Sequence, residues 1–396
     1  MTVDKSRADK TSLTMSIQPF TFLHSTRRVI FGWDSLVQLD ALAKERGLKR
    51  PAAVIDEYFA GTALQDRLRD ILIRATGTEP VFHAIPSHEP DAPGVEACAA
   101  TLASANPDFI VVVGGGSTMD AAKVARMLLS NPGPAAAIAG FGMRMTPHAS
   151  LLVAVPTTAG SGAEVSESAV IGLDGSDVKL IYRSQEMTAQ VALLDPALSV
   201  SAPTRVTAYS GYDAVTHAVE AYVSNKSSPM TDPFAVSAME LLARWLVTAC
   251  EQPDHREARS ACLIASMQAA IAFNSANLGL AHAISGPLSA QQHVAHGLGN
   301  ALALPHTIAF NEPILGDKGK RIAEIFGGAT ASKALAALRH RVGLDVSLDE
   351  FVKTDADRER LAQWAIKSGQ VATNPRPTTI GDMRGILQAM RTPTGG

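Results

Sequence analysis

Short apolar runs of strand length, separated by segments of helical periodicity, constrain the first half of this chain more than any other feature. Residues 28–32, 52–56, Val81–Ile85, Phe109–Gly114 and Leu151–Pro156 are largely apolar, and most are rich in Val and Ile. Between them apolar side chains recur every three or four positions, as in Leu36, Leu39, Leu42 and Ala43, then Leu64, Leu68, Ile71 and Leu72, then Val95, Ala99 and Leu102. Strands alternating with helices make βαβ units. The expected N-terminal fold is therefore α/β, a Rossmann-like parallel sheet with helices on both faces.

Beyond residues 201–204 the texture changes to one helical pattern after another, at 213–223, 233–250, 255–274, 297–311, 318–328, more briefly 348–353, and finally 380–390. No Val- and Ile-rich run bounded by turn signals interrupts them. The sequence thus predicts a loose N-terminal arm over residues 1–20, an α/β domain over 21–202 and an all-α domain over 203–396. A length of 396 residues with 46% hydrophobic content supports two packed cores.

Charge and cysteine content exclude other classes. With 35 Lys and Arg against 38 Asp and Glu, a net charge of −3 offers no footprint for nucleic acid or an anionic membrane. The apolar stretches fall short of the roughly 20 residues a bilayer span needs, and residues 1–20 lack the apolar core of a signal peptide. Cys98, Cys250 and Cys262, an odd number without CxxC spacing, point to a reducing, cytoplasmic setting.

Residues 114–123, Gly-Gly-Gly-Ser-Thr-Met-Asp-Ala-Ala-Lys, follow one apolar strand directly. Three glycines leave backbone N–H groups open to a phosphate, and a helix starting near Ser117 would aim its positive end at the same spot. The alternative is an ordinary tight βα turn, and the segment is not the GxGxxG fingerprint. A second polar loop, residues 156–164 with Thr157, Thr158 and Ser161, follows the next strand. Its hydroxyls either hold phosphate or ribose oxygens at the carboxyl edge of the sheet or cap a following helix. Asp56, at the end of its own strand, either accepts from the 2′-hydroxyl of a ribose, favouring NAD over NADP, or caps the next helix.

Asp213 and His217 lie four residues apart in a helical segment, so both emerge on one face. His282 stands in an apolar run, and His293 and His296 follow. One carboxylate oxygen with three imidazoles suits a borderline divalent ion, Fe²⁺ or Zn²⁺, although any of these histidines taken singly reads as an ordinary core or surface residue.

Together these pieces resemble the iron-containing (group III) alcohol dehydrogenase family over most of the chain. The resemblance is carried by residues 114–123 and 156–164, Leu194-Asp195-Pro196, residues 211–220 and 282–300, and Asn374-Pro375-Arg376-Pro377. It implies a dehydroquinate synthase-like two-domain architecture and a metal held by Asp213, His217, His282 and His296, the last two fourteen residues apart, which leaves His293 as the extra histidine. It also implies that Gly115, Gly116 and Ser117 hold the NAD(P) pyrophosphate with Asp120 on the helix behind. Thr157, Thr158 and Lys179 would contact the cofactor, Asp56 would take the ribose role, and Phe273 would line the substrate pocket. Many members carry a proton-relaying histidine four residues after the third ligand, where this chain has Gly286. Either water and the nicotinamide ribose or His293 then takes over the relay.

What the resemblance implies is a metal-dependent, NAD-linked alcohol dehydrogenase or aldehyde reductase that uses Fe²⁺, or Zn²⁺ or another divalent ion, acts on a small alcohol or aldehyde, and forms a homodimer. Two alternatives share the scaffold. One is a maleylacetate reductase-like enzyme that works without metal, against which all four ligands stand. The other is a dehydroquinate synthase-like lyase, against which the glycine turn and the Pro-Arg-Pro tail stand.

Overall fold

In a computed structural model, which describes residues 19–86, 90–141, 143–173 and 179–391, the apolar runs become the middle of one parallel sheet. Of the expected arm, residues 1–18 lie outside the described residues. The chain runs β1 (Arg28–Phe31), α1 (Gln38–Arg46), β2 (Pro51–Asp56), α2 (Ala63–Thr76), β3 (Val81–Ile85), α3 (Ala92–Ala105), β4 (Phe109–Gly114) and α4 (Gly116–Leu128). It continues through β5 (Gly140–Phe141), β6 (Leu151–Pro156), β7 (Ser168–Gly172), β8 (Lys179–Arg183) and β9 (Val191–Leu194).

The strand order is β1-β9-β6-β4-β2-β3, with every pairing parallel. β4 and β6 are buried on both faces, which is why they read as unbroken apolar runs. Alternate residues face opposite layers. Ile110, Val112, Leu152 and Ala154 pack toward α3 and α4, while Val111, Val113, Val153 and Val155 pack toward α1 and α2. From β2 the chain steps outward to β3 and then returns to β4 on the other side, so the switch point lies between β2 and β4. There the carboxyl ends of neighbouring strands open a crevice suited to a ligand.

After β9 the chain is helical: α5 (Thr204–Val223), α6 (Asp232–Glu251), α7 (Arg256–Ala276), α8 (Leu280–Gln292), α9 (His296–Leu315), α10 (Asp317–Phe326), α11 (Ala331–Arg341), α12 (Asp355–Ala365) and α13 (Ile380–Ala389). They enclose one apolar core that includes Tyr212, Val215, Leu242, Ile284, Leu302 and Leu335. Among the described residues α6, and α7 with α8 if that bent pair is taken as one span, are long and apolar enough for a bilayer span, but α6 buries Ala238, Met239, Leu242 and Leu246 in that core, which accounts for its apolarity. The three cysteines are buried and unpaired.

Several elements depart from the sequence reading. The loop after β6 leads into β7 rather than a helix, so its hydroxyls cap no following helix. The pattern expected over 348–353 shrinks to a single 3₁₀ turn, Leu348–Glu350, closed by a capping box of Ser347 and Glu350. The antiparallel hairpin β7–β8, the four-residue β9, and helices α8, α11 and α12 were not foreseen. β7 and β8 mix polar and apolar residues at half-buried positions, and α8 contains Gly286 and Pro287, which mask its period.

Candidate metal centre and cofactor crevice

The crevice is built from three strand ends. Gly115 occupies the N-cap of α4 without a side-chain cap, Gly116 is the first helical residue and Ser117 is exposed beside it. A Cβ on Gly116 would meet Ser161 Oγ at 2.7 Å, and one on Gly115 would meet Thr158 Oγ1 at 3.4 Å. Glycine is therefore what lets the two polar loops touch, and it leaves the α4 N-terminus open to an anion. The Thr157 N–H donates to the Gly114 carbonyl at 3.0 Å, and the Ser161 hydroxyl accepts from Ala163 N–H at 3.3 Å.

Asp56 takes the capping role open to it and adds a contact that the sequence did not suggest. Its carboxylate accepts from Tyr58 N–H at 3.0 Å, capping a 3₁₀ turn, and from the Thr118 hydroxyl at 3.2 Å, which ties the ends of β2 and β4 together. Lys179 reaches from β8 to Ser289 on α8, Nζ to Oγ at 3.2 Å.

Asp120 is held by two partners within the chain. It accepts from Val170 N–H at 2.9 Å and pairs with Lys123 at 3.2 Å. Burial pushes its carboxyl up, against the pull of Lys123. Lys123, itself 1% exposed, donates to the carbonyls of Ser168 at 2.6 Å and Ala163 at 3.1 Å and to Ser166 Oγ at 3.1 Å, stitching the loop after β6 onto α4.

Glu164 in that loop is buried, and one of its oxygens has no hydrogen-bond partner. Burial pushes its pKa up from 4.5 to about 7, against the opposing pull of its own backbone N–H and of Lys123. A carboxyl that holds its proton more tightly when folded contributes stability below pH 4.5 that is lost as the pH climbs through about 7. The gap corresponds to roughly 3 kcal/mol. Glu164→Gln should therefore gain stability relative to the parent on going from about pH 5 to about pH 8 in urea titrations. A difference between the two proteins that does not change with pH would refute this.

The four predicted ligands converge at the inner end of the crevice. Asp213 and His217 share one buried face of α5. Asp213 Oδ1 lies 3.9 Å from His217 Nε2, 3.7 Å from His282 Nε2 and 3.8 Å from His296 Nε2. His296 arrives because α9 starts hard against α5: a Cβ on Gly297 would sit 2.2 Å from the Tyr209 carbonyl oxygen. The His217 and His282 rings stack at 4.7 Å, and Phe273 lies 4.7 Å from His217 on its other flank.

The tautomers are set from behind. His217 Nδ1 lies 3.2 Å from the Gly160 carbonyl, and His282 Nδ1 lies 2.6 Å from Glu220 Oε2. Both acceptors need a proton on Nδ1, which leaves each Nε2 as a bare lone pair facing Asp213. Burial, then His217 and His296, pushes His282 well below its ordinary pKa, so it stays neutral. Burial also pushes Asp213 up, but the three histidines and the Asn300 amide outweigh it and hold that carboxyl below its usual range.

Asp213, His217 and His282 therefore present acceptor atoms to one another, and the Asn300 amide donates among them. Asn300 Nδ2 reaches Asp213 Oδ1 at 2.7 Å, His282 Nε2 at 3.0 Å and His296 Nε2 at 3.2 Å. One carboxylate oxygen with imidazole nitrogens suits a divalent ion, for which donors at about 2.1 Å in a tetrahedron stand about 3.4 Å apart. The ligand atoms of Asp213, His217 and His282 all lie within 4.8 Å of one another, and the exposed His296 brings its Nε2 to 3.8 Å from Asp213 Oδ1.

Glu220 and Asn300 were given no role from sequence. Glu220 lies seven residues after Asp213 on the same helical face, and Asn300 four after His296, spacings that place each beside a ligand. Gly286 lies one turn after His282 on α8, and a Cβ there would meet nothing within 4 Å. His293 is exposed, ends α8 with a φ of +53°, and makes no hydrogen bond to the ligands among the described residues.

Comparison with known proteins agrees with this arrangement. The iron-containing alcohol dehydrogenase family model matches residues 26–196, and the model of the family's C-terminal part matches 207–391. The NAD-dependent methanol dehydrogenase of Bacillus methanolicus is 30% identical over 370 residues, covering 91% of this chain and 97% of that one. The crystal structure of a 1,3-propanediol oxidoreductase superimposes with a TM-score of 0.87 at 29% identity, covering 94% of this chain and all of that one. A sulfoacetaldehyde reductase from Bifidobacterium kashiwanohense, solved in complex with NAD+, does so at 0.88 and 26% identity, covering 95% of this chain and 99% of that one. Matched along both halves by the family's models and along most of its length by a relative 30% identical, the chain belongs to the iron-containing alcohol dehydrogenase family.

Proposed function

We propose that the protein is a metal-dependent, NAD-linked alcohol dehydrogenase and aldehyde reductase. The observation that carries this reading is the convergence of Asp213, His217, His282 and His296, joined to the cofactor crevice through the contact of His217 with Gly160. In this reading the α/β part, residues 21–202, holds the dinucleotide, and the helical part, 203–396, holds the metal and the substrate. Gly115, Gly116 and Ser117 take the pyrophosphate, Thr157, Thr158, Ser161 and Lys179 flank it, and Asp56 takes the ribose and disfavours a 2′-phosphate. The enzyme acts in the cytoplasm as a homodimer, for which the exposed edge strand β1 offers a pairing surface.

When bound, the divalent ion supplies Lewis acidity toward the substrate oxygen, and the nicotinamide gives or accepts the hydride. The chain's own residues do the rest. Asp213 brings the single negative charge of the ligand set, and the neutral imidazoles leave the site net positive where negative charge develops on oxygen. Phe273 walls one side of His217. With Gly286 offering no side chain there, the alcohol proton would be relayed by His293 or by water beside the ribose of a bound cofactor.

The test is metal analysis of protein purified without chelator, coupled to NAD⁺ reduction over a panel of primary alcohols, diols and hydroxy acids with Fe²⁺, Zn²⁺ or EDTA. Activity that tracks about one ion per chain supports the reading. Turnover in EDTA with no ion bound would replace it with the metal-free reductase, and conversion without net NADH with the lyase.

Gly286 leaves open space one turn from His282, so it sets how large a substrate fits. Gly286→His should keep the fold, because glycine is the poorer helix former. It should lower kcat/KM for bulky alcohols relative to ethanol by about tenfold or more. An unchanged ratio across the panel would refute the assignment.

A further inference from the structure

We infer that Glu220 is a positioning residue of the metal centre, its carboxylate holding His282 by Nδ1 and at the same time anchoring the start of α8, the helix on which His282 rides. The inference rests on the reading of Asp213, His217, His282 and His296 as metal ligands.

Glu220 continues the face of α5 that carries Asp213 and His217, at spacings of four and then three residues, and is 3% exposed. Its two oxygens have separate tasks. Oε1 accepts from Ala281 N–H at 2.6 Å, and Oε2 lies 2.6 Å from His282 Nδ1. The N-cap of α8, Gly279, has no side chain to serve the orphan N–H groups of the first turn, so Glu220 does this from another helix. Among the described residues it forms no ion pair with Lys or Arg, and the side chain hydrogen-bonded to it is His282, with His217 also within its field.

The other side of the carboxylate is closed. A Cβ on Gly279 would come within 3.0 Å of Glu220 Oε1 and 3.6 Å of Asn374 Oδ1. Asn374 in turn exchanges two amide hydrogen bonds with Asn311, at 2.8 and 2.9 Å. Asn374 of the Asn-Pro-Arg-Pro segment, which the proposed chemistry leaves unused, thus lies against the same turn between α7 and α8 as Glu220 Oε1. A hydrogen-bonded carboxylate behind a ligating imidazole sets its tautomer and ring angle and raises its basicity.

Glu220→Gln separates this role from simple capping. The amide has one oxygen for two donors. If that oxygen faces Ala281 N–H, the NH₂ faces His282 Nδ1 and drives the ring proton to Nε2, where the ion must bind. Co²⁺ affinity, measured by chelator competition, is expected to fall by about 10- to 100-fold, with a changed visible spectrum of the Co²⁺ form. The metal-free variant is expected to melt close to the metal-free parent, because the helix start stays capped.

In the parent, ¹⁵N NMR of the metal-free protein is expected to find His282 protonated on Nδ1 and bare on Nε2, a result that does not depend on the variant folding. Co²⁺ binding by Glu220→Gln with the parent's affinity and spectrum, or a proton on Nε2 of His282 in the parent, would overturn the inference. If the parent itself binds no Co²⁺, the reading of the site as a metal centre falls and the inference with it. If only the variant binds normally, the metal centre stands and Glu220 loses its role.

Discussion

Replacing Asp213 with alanine is expected to empty the metal centre and lower kcat/KM by at least about 10³-fold, because an ion acting on the substrate oxygen is worth several kcal/mol. Asp213 Oδ1 is the atom on which the other three ligands are centred, and it brings the only negative charge among the four. The same substitution also costs the metal-free fold the contacts with the three histidines and the Asn300 amide that hold this carboxyl below its usual range.

The response to metal separates a binding defect from a folding defect. With metal at about 100 times its Kd the parent should gain about 2.7 kcal/mol and melt higher, whereas the variant should not respond. The two melts in EDTA measure the structural cost of the substitution, against which the missing response to metal is read. Full activity in a variant shown to be metal-free would overturn the mechanism, and His217→Ala should behave in the same way.

The second large effect lies away from the ligands. Lys123→Met is expected to destabilise the protein by about 3 to 5 kcal/mol, lowering Tm by the order of 10 °C. The Lys123 ammonium satisfies the Ser168 and Ala163 carbonyls and Ser166 Oγ and balances the buried Asp120. A methionine of similar length fills the space but leaves those acceptors unmet and a carboxylate without its cation. Arginine should not rescue it, since the planar fork is larger than the ammonium it would replace.

Coupling gives the sharper test. Asp120→Asn removes the stranded charge, so the double variant should be less destabilised than the sum of the two singles by roughly 1 to 3 kcal/mol. The loop after β6 carries Thr157, Thr158 and Ser161, so KM for NAD⁺ should rise as well. Urea titration of the four proteins decides the matter, and strict additivity would mean that Lys123 and Asp120 do not act as a pair.

Strands buried on both faces wrote themselves into the sequence, since each position of β4 and β6 must be apolar whichever layer it faces. Hence the parallel sheet was legible, as were the helical second half and the two polar loops, whereas the ligand quartet followed only from the family resemblance and not from spacing. The hairpin β7–β8 and α8 were not, because half-burial and an internal Gly-Pro pair leave no clean period.

Side-chain spacing along one helix is local, so Asp213 and His217 could be paired from sequence alone. The rest depended on contacts between distant segments, which no spacing records. Only the packed structure brings Gly160 behind His217 and Glu220 behind His282, turns Lys123 and Asp120 inward as a structural pair, and sets Gly286 against open space. Residue type determined that this chain could hold a divalent ion; the meeting of α5, α8 and α9, allowed by the missing Cβ of Gly297, decided where its lone pairs point.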